Sequence, residues 1–178
     1  MKLKIIDASV AIKWFVKEEK GKKEADALLS EIEANPKPFA VPEIFFNEML
    51  SVLCRIVKSE SQVKIYVEDL ENLGLERIGN GREILAEAIR LAFEFNLTGY
   101  DAIYAATATL TEGVWITADL KAHQKIKKRS LSELANVVCE GLSFVAEPAF
   151  FASVVMLESF ILNYSSFGKC NLESIILF

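Results

Sequence analysis

Apolar positions recur along this chain at two spacings, and their alternation predicts the order of elements. Residues 3–6 form a short apolar run among lysines, stopped by Asp7, which predicts a buried strand ending on a carboxylate. Residues 10–16, with Trp14 and Phe15, and residues 22–33, with Ala25, Leu28, Leu29 and Ile32 at helical spacing, predict two helices. Asn35-Pro36-Lys37-Pro38 then breaks the pattern as a loop. Phe45, Met49, Val52 and Ile56 mark an amphipathic helix that runs from Pro42, suited to a first turn, to about residue 58. Another helix over residues 61–73 is closed by Gly74, and residues 75–78 read as a short strand.

The second half repeats the alternation. Ile84, Ala88, Leu91 and Phe95 form a helical stripe, Thr98-Gly99 interrupts it, and an alanine-rich helix resumes over residues 100–110. A β-branched and aromatic strand follows Gly113 over residues 114–117, and residues 119–128 predict a helix with a basic last turn. Strands alternating with helices imply an α/β fold around a short parallel sheet, here a three-layer α/β/α arrangement. Residues 1–135 make up this domain. Residues 136–178 differ, because charges nearly vanish while Phe144, Phe150, Phe151, Phe160, Phe167 and Phe178 accumulate without a period. They read as an apolar C-terminal extension of unknown role.

Composition narrows the possible chemistry. A chain of 178 residues is the size of one domain with an extension, and 52% hydrophobic residues exclude a disordered chain. A net charge of −5 argues against capture of nucleic acid by bulk charge, yet a carboxylate cluster that holds divalent cations also makes its owner acidic. Cys54, Cys139 and Cys170 show no CxxC spacing and His123 is the only histidine, so no zinc set is present and reduced thiols are expected. His123 reads as a surface helix residue. Asp7 and Lys13 interrupt the N-terminal apolar run, which argues against a signal peptide, and no membrane span is expected. A cytoplasmic location follows.

Four carboxylates stand in places that need explaining. Asp7 lies at the carboxyl end of the first strand, where ligands gather in open parallel sheets, although Asp7 and Ser9 could simply cap the next helix. Glu48 shares the stripe of Phe45, Val52 and Ile56, where an unpaired carboxylate is costly. Either a cation partner compensates it or it reaches water at the edge of the stripe. Asp101 sits at the positive end of the alanine-rich helix and Asp119 follows a strand as an ordinary N-cap would, so each alone has a plain structural reading. As a set they form a plausible cage for a hard cation such as Mg²⁺, which takes oxygen ligands. Two ionised carboxylates about 4 Å apart repel by roughly 4 kcal/mol at an effective dielectric near 20, so their convergence would itself imply metal.

Ile5-Ile6-Asp7-Ala8-Ser9, Asn47-Glu48, Tyr100-Asp101-Ala102-Ile103-Tyr104-Ala105-Ala106 and Ile116-Thr117-Ala118-Asp119 resemble, in order and rough spacing, the four motifs of PIN domains. The likeness covers about residues 3–135, and the last two blocks are similar to those of VapC-type toxins. The resemblance implies an endoribonuclease, the toxin of a type II toxin–antitoxin system, in which Asp7, Glu48, Asp101 and Asp119 hold Mg²⁺ or Mn²⁺ while Ser9 and Thr117 give support. It implies an RNA substrate, a cognate antitoxin and a homodimer. A hydrophobic groove near Trp14, Phe15, Phe45 and Phe46 would receive the antitoxin, although core packing also accounts for most of these aromatics. Lys121, Lys125 and Lys128 are candidate phosphate contacts, against their plainer role of complementing a helix dipole. The apolar extension departs from the family pattern.

Two rivals accompany this reading. One is a catalytically inactive PIN-like protein that only binds a partner, and it predicts no Mn²⁺-dependent RNA cleavage. The other is a phosphorylated receiver of similar build, which needs paired acids at the first strand, and Asp7-Ala8-Ser9 offers none.

Overall fold

The computed structural model describes residues 2–16 and 21–127. The expected extension, the 135/136 boundary, Cys139, Cys170 and Lys128 lie outside the described residues. In chain order the elements are β1 (Lys4–Ile6), α1 (Ala8–Phe15), α2 (Lys22–Ala34), β2 (Phe39–Pro42), α3 (Ile44–Ile56) and α4 (Glu60–Asn72). They continue with β3 (Glu76–Ile78), α5 (Arg82–Phe95), α6 (Gly99–Leu110), β4 (Val114–Ile116) and α7 (Leu120–Lys127).

All strand pairs are parallel, in the order β3-β2-β1-β4. Successive strand residues point to opposite faces, yet Ile5 and Ile6 of β1 and Phe39, Ala40 and Val41 of β2 are all buried. Both faces of the sheet are therefore covered by helices, which gives the three-layer arrangement. Such burial stabilises by roughly 1.5–3 kcal/mol per large apolar side chain, and it is concentrated in Phe39, Phe45, Met49, Leu53, Tyr104 and Trp115.

One strand escapes the pattern of the sequence. Phe39–Pro42 is a central strand between β1 and β3, and Pro42 ends it rather than opening the next helix. A fully buried strand shows no polar alternation, and a proline beside it reads as a helix start. Pro42 has no N–H to give to the ladder, and the Glu43 N–H donates instead to the Ile78 carbonyl at 2.9 Å. Helix α3 follows from Ile44, with Phe45, Met49 and Leu53 buried.

Chain direction across the sheet makes β1 a switch point. From β1 the chain steps outward to β2 and β3, then returns through α5 and α6 to place β4 on the other side of β1. The order reverses at β1, and in open parallel sheets ligands gather beyond the carboxyl ends of the strands at such a point. The two strands are drawn tightly together at their start, where Val114 N–H donates to the Leu3 carbonyl at 2.7 Å. A Cβ at Gly113 would stand 2.7 Å from that carbonyl oxygen, so only glycine fits. Small side chains on α6, including Ala102, Ala105, Ala106 and Ala108, are buried and let it lie close to α5 and the sheet. Among the described residues no helix is long and apolar enough to cross a membrane.

Candidate functional site

Asp7 follows β1 directly and caps α1, its Oδ1 accepting from the Ser9 backbone N–H at 2.7 Å. Its other oxygen accepts from the Trp115 indole N–H at 2.8 Å. The cap expected from sequence is real, but a cap needs neither burial nor an indole, and Asp7 is buried at 6% exposure. Burial pushes its carboxyl up from the ordinary range, and the hydrogen bonds from Ser9, Trp115 and Thr117 oppose that push.

Ser9 and Thr117 join the ends of the two strands. Their hydroxyls lie 3.3 Å apart, the Ala118 N–H donates to Ser9 Oγ at 3.0 Å, and the Asp119 N–H donates to Thr117 Oγ1 at 3.0 Å. Thr117 is fully buried. These bonds fix the backbone that presents Asp7 and Asp119.

Glu48 flanks the buried row of Phe45, Met49 and Leu53 on α3, beside the half-buried Val52 and Ile56. Its Oε2 accepts a 2.5 Å hydrogen bond from the Tyr104 hydroxyl, a partner beyond the cation and the water that the sequence offered. Burial raises its carboxyl to about 8, with the charges of Asp7 and Asp101 adding to the rise and the Tyr104 bond opposing it. Asp101 occupies the first turn of α6, where the Thr98 hydroxyl donates to its Oδ2 at 2.7 Å. Burial raises it to about 6, the Thr98 bond opposes, and the charges of Asp7 and Asp119 raise it further.

Asp119 caps α7, its Oδ1 accepting from the Lys121 and Ala122 N–H groups at 2.7 and 3.1 Å. The plain reading of Asp119 is therefore correct, and its charge still reaches Asp101. The fold brings the four carboxylates, from four separate elements, within electrostatic reach of one another in linked pairs. Among the described residues no three of them stand as a ready coordination shell. Each accepts from a protein donor, and a carboxylate so held keeps further lone pairs with which it could meet a cation. The donor chemistry suits a hard divalent cation, since all donors are oxygens and such a cation would offset both the burial and the mutual repulsion that raise Glu48 and Asp101.

The lysines divide. Lys121 is exposed on α7, whereas Lys125 Nζ donates to the Asn96 carbonyl at 2.5 Å, at the end of α5. Lys125 thus meets the C-terminal end of α5 rather than that of its own helix. His123, expected on the surface, is half-buried on α7 with Nδ1 enclosed. Phe45 is fully buried and so lines no groove, and Phe46 is covered by the Arg77 guanidinium 3.7 Å from its ring centroid. Trp14 and Phe15 line a cleft of mixed character, with Leu29, Leu70 and Leu73 beside the polar Glu33, Asp69 and Asn72.

Trp115 and Tyr104 are the site residues that sequence reasoning passed over. A signal existed for each: a buried tryptophan N–H requires an acceptor, and Tyr104 lies one helical turn from Asp101.

Solved structures of similar fold include a toxin–antitoxin complex from Klebsiella pneumoniae (23% identity, 66% of this chain and 88% of that one, TM-score 0.50). VapBC2 from Rickettsia felis, bound to a DNA fragment from its promoter, matches at 14% identity over 76% of this chain and 96% of that one, with a TM-score of 0.55. FitAB bound to a DNA fragment matches at 12% identity over 82% of this chain and 99% of that one, with a TM-score of 0.61. A search of curated proteins returned no match. The family model of the PIN domain matches residues 4–128, well over half of the chain, and the protein therefore belongs to the PIN domain family.

Proposed function

We propose that this protein is a metal-dependent endoribonuclease of the VapC toxin kind, held inactive by a cognate antitoxin. The observation that carries the reading is the mutual charge effect among Asp7, Glu48, Asp101 and Asp119 at the point where the strand order reverses. PIN membership and the fold shared with toxins of toxin–antitoxin complexes support it.

In this reading Asp7 and Asp101 are the most direct ligands of Mg²⁺ or Mn²⁺, with Glu48 and Asp119 completing the set. When bound, such a cation supplies Lewis-acid chemistry, making water acidic enough to attack at neutral pH and offsetting charge at a phosphodiester. Ser9 and Thr117 hold the two strand ends in register so that the ligands keep their relation. Glu48, once a cation beside it had displaced its proton, could accept one from water. Lys121 contacts RNA phosphates, as does Lys128, which lies outside the described residues, while Lys125 donates to the Asn96 carbonyl at the end of α5. The cleft of Trp14 and Phe15 receives the antitoxin, and the protein acts in the cytoplasm as a homodimer.

The test is cleavage of a mixed RNA pool by the purified protein. Mn²⁺ should be required, EDTA should stop cleavage, and Asp7→Asn or Asp101→Asn should reduce it by at least about a hundredfold while leaving the circular dichroism spectrum unchanged. No cleavage by the intact chain with Mn²⁺ would favour a partner-binding protein instead. Light scattering in solution checks the homodimer, and a monomer mass would remove it.

A further inference from the structure

Trp115 and Tyr104 are 0% and 1% exposed, and their rings lie nearly parallel, 5° apart in plane and 6.1 Å between centroids. One comes from β4 and the other from α6, so β4 and α6 are locked together by this stack. Each ring ends in one hydrogen-bond donor, and both donors are spent on carboxylates: the indole on Asp7 and the phenol on Glu48. A tryptophan can satisfy its N–H on a backbone carbonyl, as the half-buried Trp14 does on Ala25 at 2.9 Å, whereas the fully buried Trp115 uses an acidic side chain. The Tyr104 oxygen also faces the Ala8 N–H, the residue after Asp7.

Geometry says what these bonds achieve. Asp7 is held through opposite oxygens by the Ser9 N–H and the Trp115 indole, which fixes the plane of its carboxylate. Glu48 has three side-chain torsions and, as an anion, would be driven away from Asp7 and Asp101. The Tyr104 hydroxyl tethers Oε2 and so limits those torsions.

We propose that Trp115 and Tyr104 are positioning residues, a stacked pair whose two donors set the spacing of Asp7 and Glu48 for a divalent cation. This rests on the reading of those two carboxylates as metal ligands. Loss of such an outer partner weakens metal binding by about ten- to a hundredfold.

Mn²⁺ alone is the probe, and the full-length chain is used throughout. Free ion is counted by electron paramagnetic resonance, and emission is followed in Trp14→Phe, where Trp115 is the only tryptophan left. Trp115 emission should change along the same isotherm as Mn²⁺ uptake. Trp115→Phe and Tyr104→Phe, which keep the rings and lose the donors, should weaken Mn²⁺ affinity by about tenfold or more with an unchanged circular dichroism spectrum. If Mn²⁺ binds in a manner that Asp7→Asn abolishes, yet emission stays still or both variants bind within about twofold of the parent, the positioning role is overturned and the metal reading survives. Should either variant fail to fold, the emission titration decides, because it leaves both donors in place. No Mn²⁺ uptake by the unaltered chain overturns the metal reading, and the inference falls with it.

Discussion

A carboxyl raised to about 8 keeps its proton through most of the neutral range, and without a cation beside it Glu48 is such a group. The sign of its effect on stability follows. The folded state binds the proton more tightly than the unfolded chain, so the stability gained is fully present below about pH 4 and is lost as pH rises. For Asp101 the loss is spent by about pH 6, and for Glu48 it continues to about 8. In EDTA, the urea midpoint should therefore fall steadily from pH 4 to pH 8, and Glu48→Gln should flatten the upper part of that fall. A midpoint that rises over this window would mean that the acidic groups are not buried together. Glu48 was legible as an oddity, because a carboxylate on an apolar row invites a partner. Its partner was not, since the hydroxyl of Tyr104 arrives from 56 residues away and no local pattern links the two.

Among the elements, the helices were readable because a helix that is apolar on one side writes its period into the sequence. Strands β1, β3 and β4 were also readable, each flanked by polar or glycine punctuation. β2 was not, because burial on both faces erases alternation and Pro42 mimics a helix start. Closeness between elements leaves a different trace, the obligatory glycine. Gly113→Ala would drive a methyl group into the Leu3 carbonyl at the root of the β1–β4 pair. It should destabilise the protein by about 1–3 kcal/mol, read from the shift in urea midpoint. Because that pair carries Asp7 and Asp119, the variant should also bind Mn²⁺ more weakly than its stability loss alone explains. Retention of both stability and affinity would show that β1 and β4 have room to part.

For the whole molecule, stability and metal binding are linked. Mn²⁺ at a hundredfold excess over its Kd should stabilise the folded protein by about 2.7 kcal/mol, seen as a higher Tm than in EDTA. Asp101→Asn should raise Tm in EDTA at pH 8, because it removes one of the repelling charges, and should cancel most of the gain from Mn²⁺. An equal gain in the variant would show that Mn²⁺ binds elsewhere. The sequence by itself determined the fold class and nominated Asp7, Glu48, Asp101 and Asp119, because periodicity, strand ends and short motifs are local properties that survive in one dimension. Only the tertiary structure decided which groups act on which: the reversal of strand order at β1 gathers the acids, and Trp115 and Tyr104 reach Asp7 and Glu48 across 108 and 56 residues. The physical reason is that hydrogen bonds and charge effects depend on distance in space, and a sheet with covered faces sets those distances through packing that no single segment encodes.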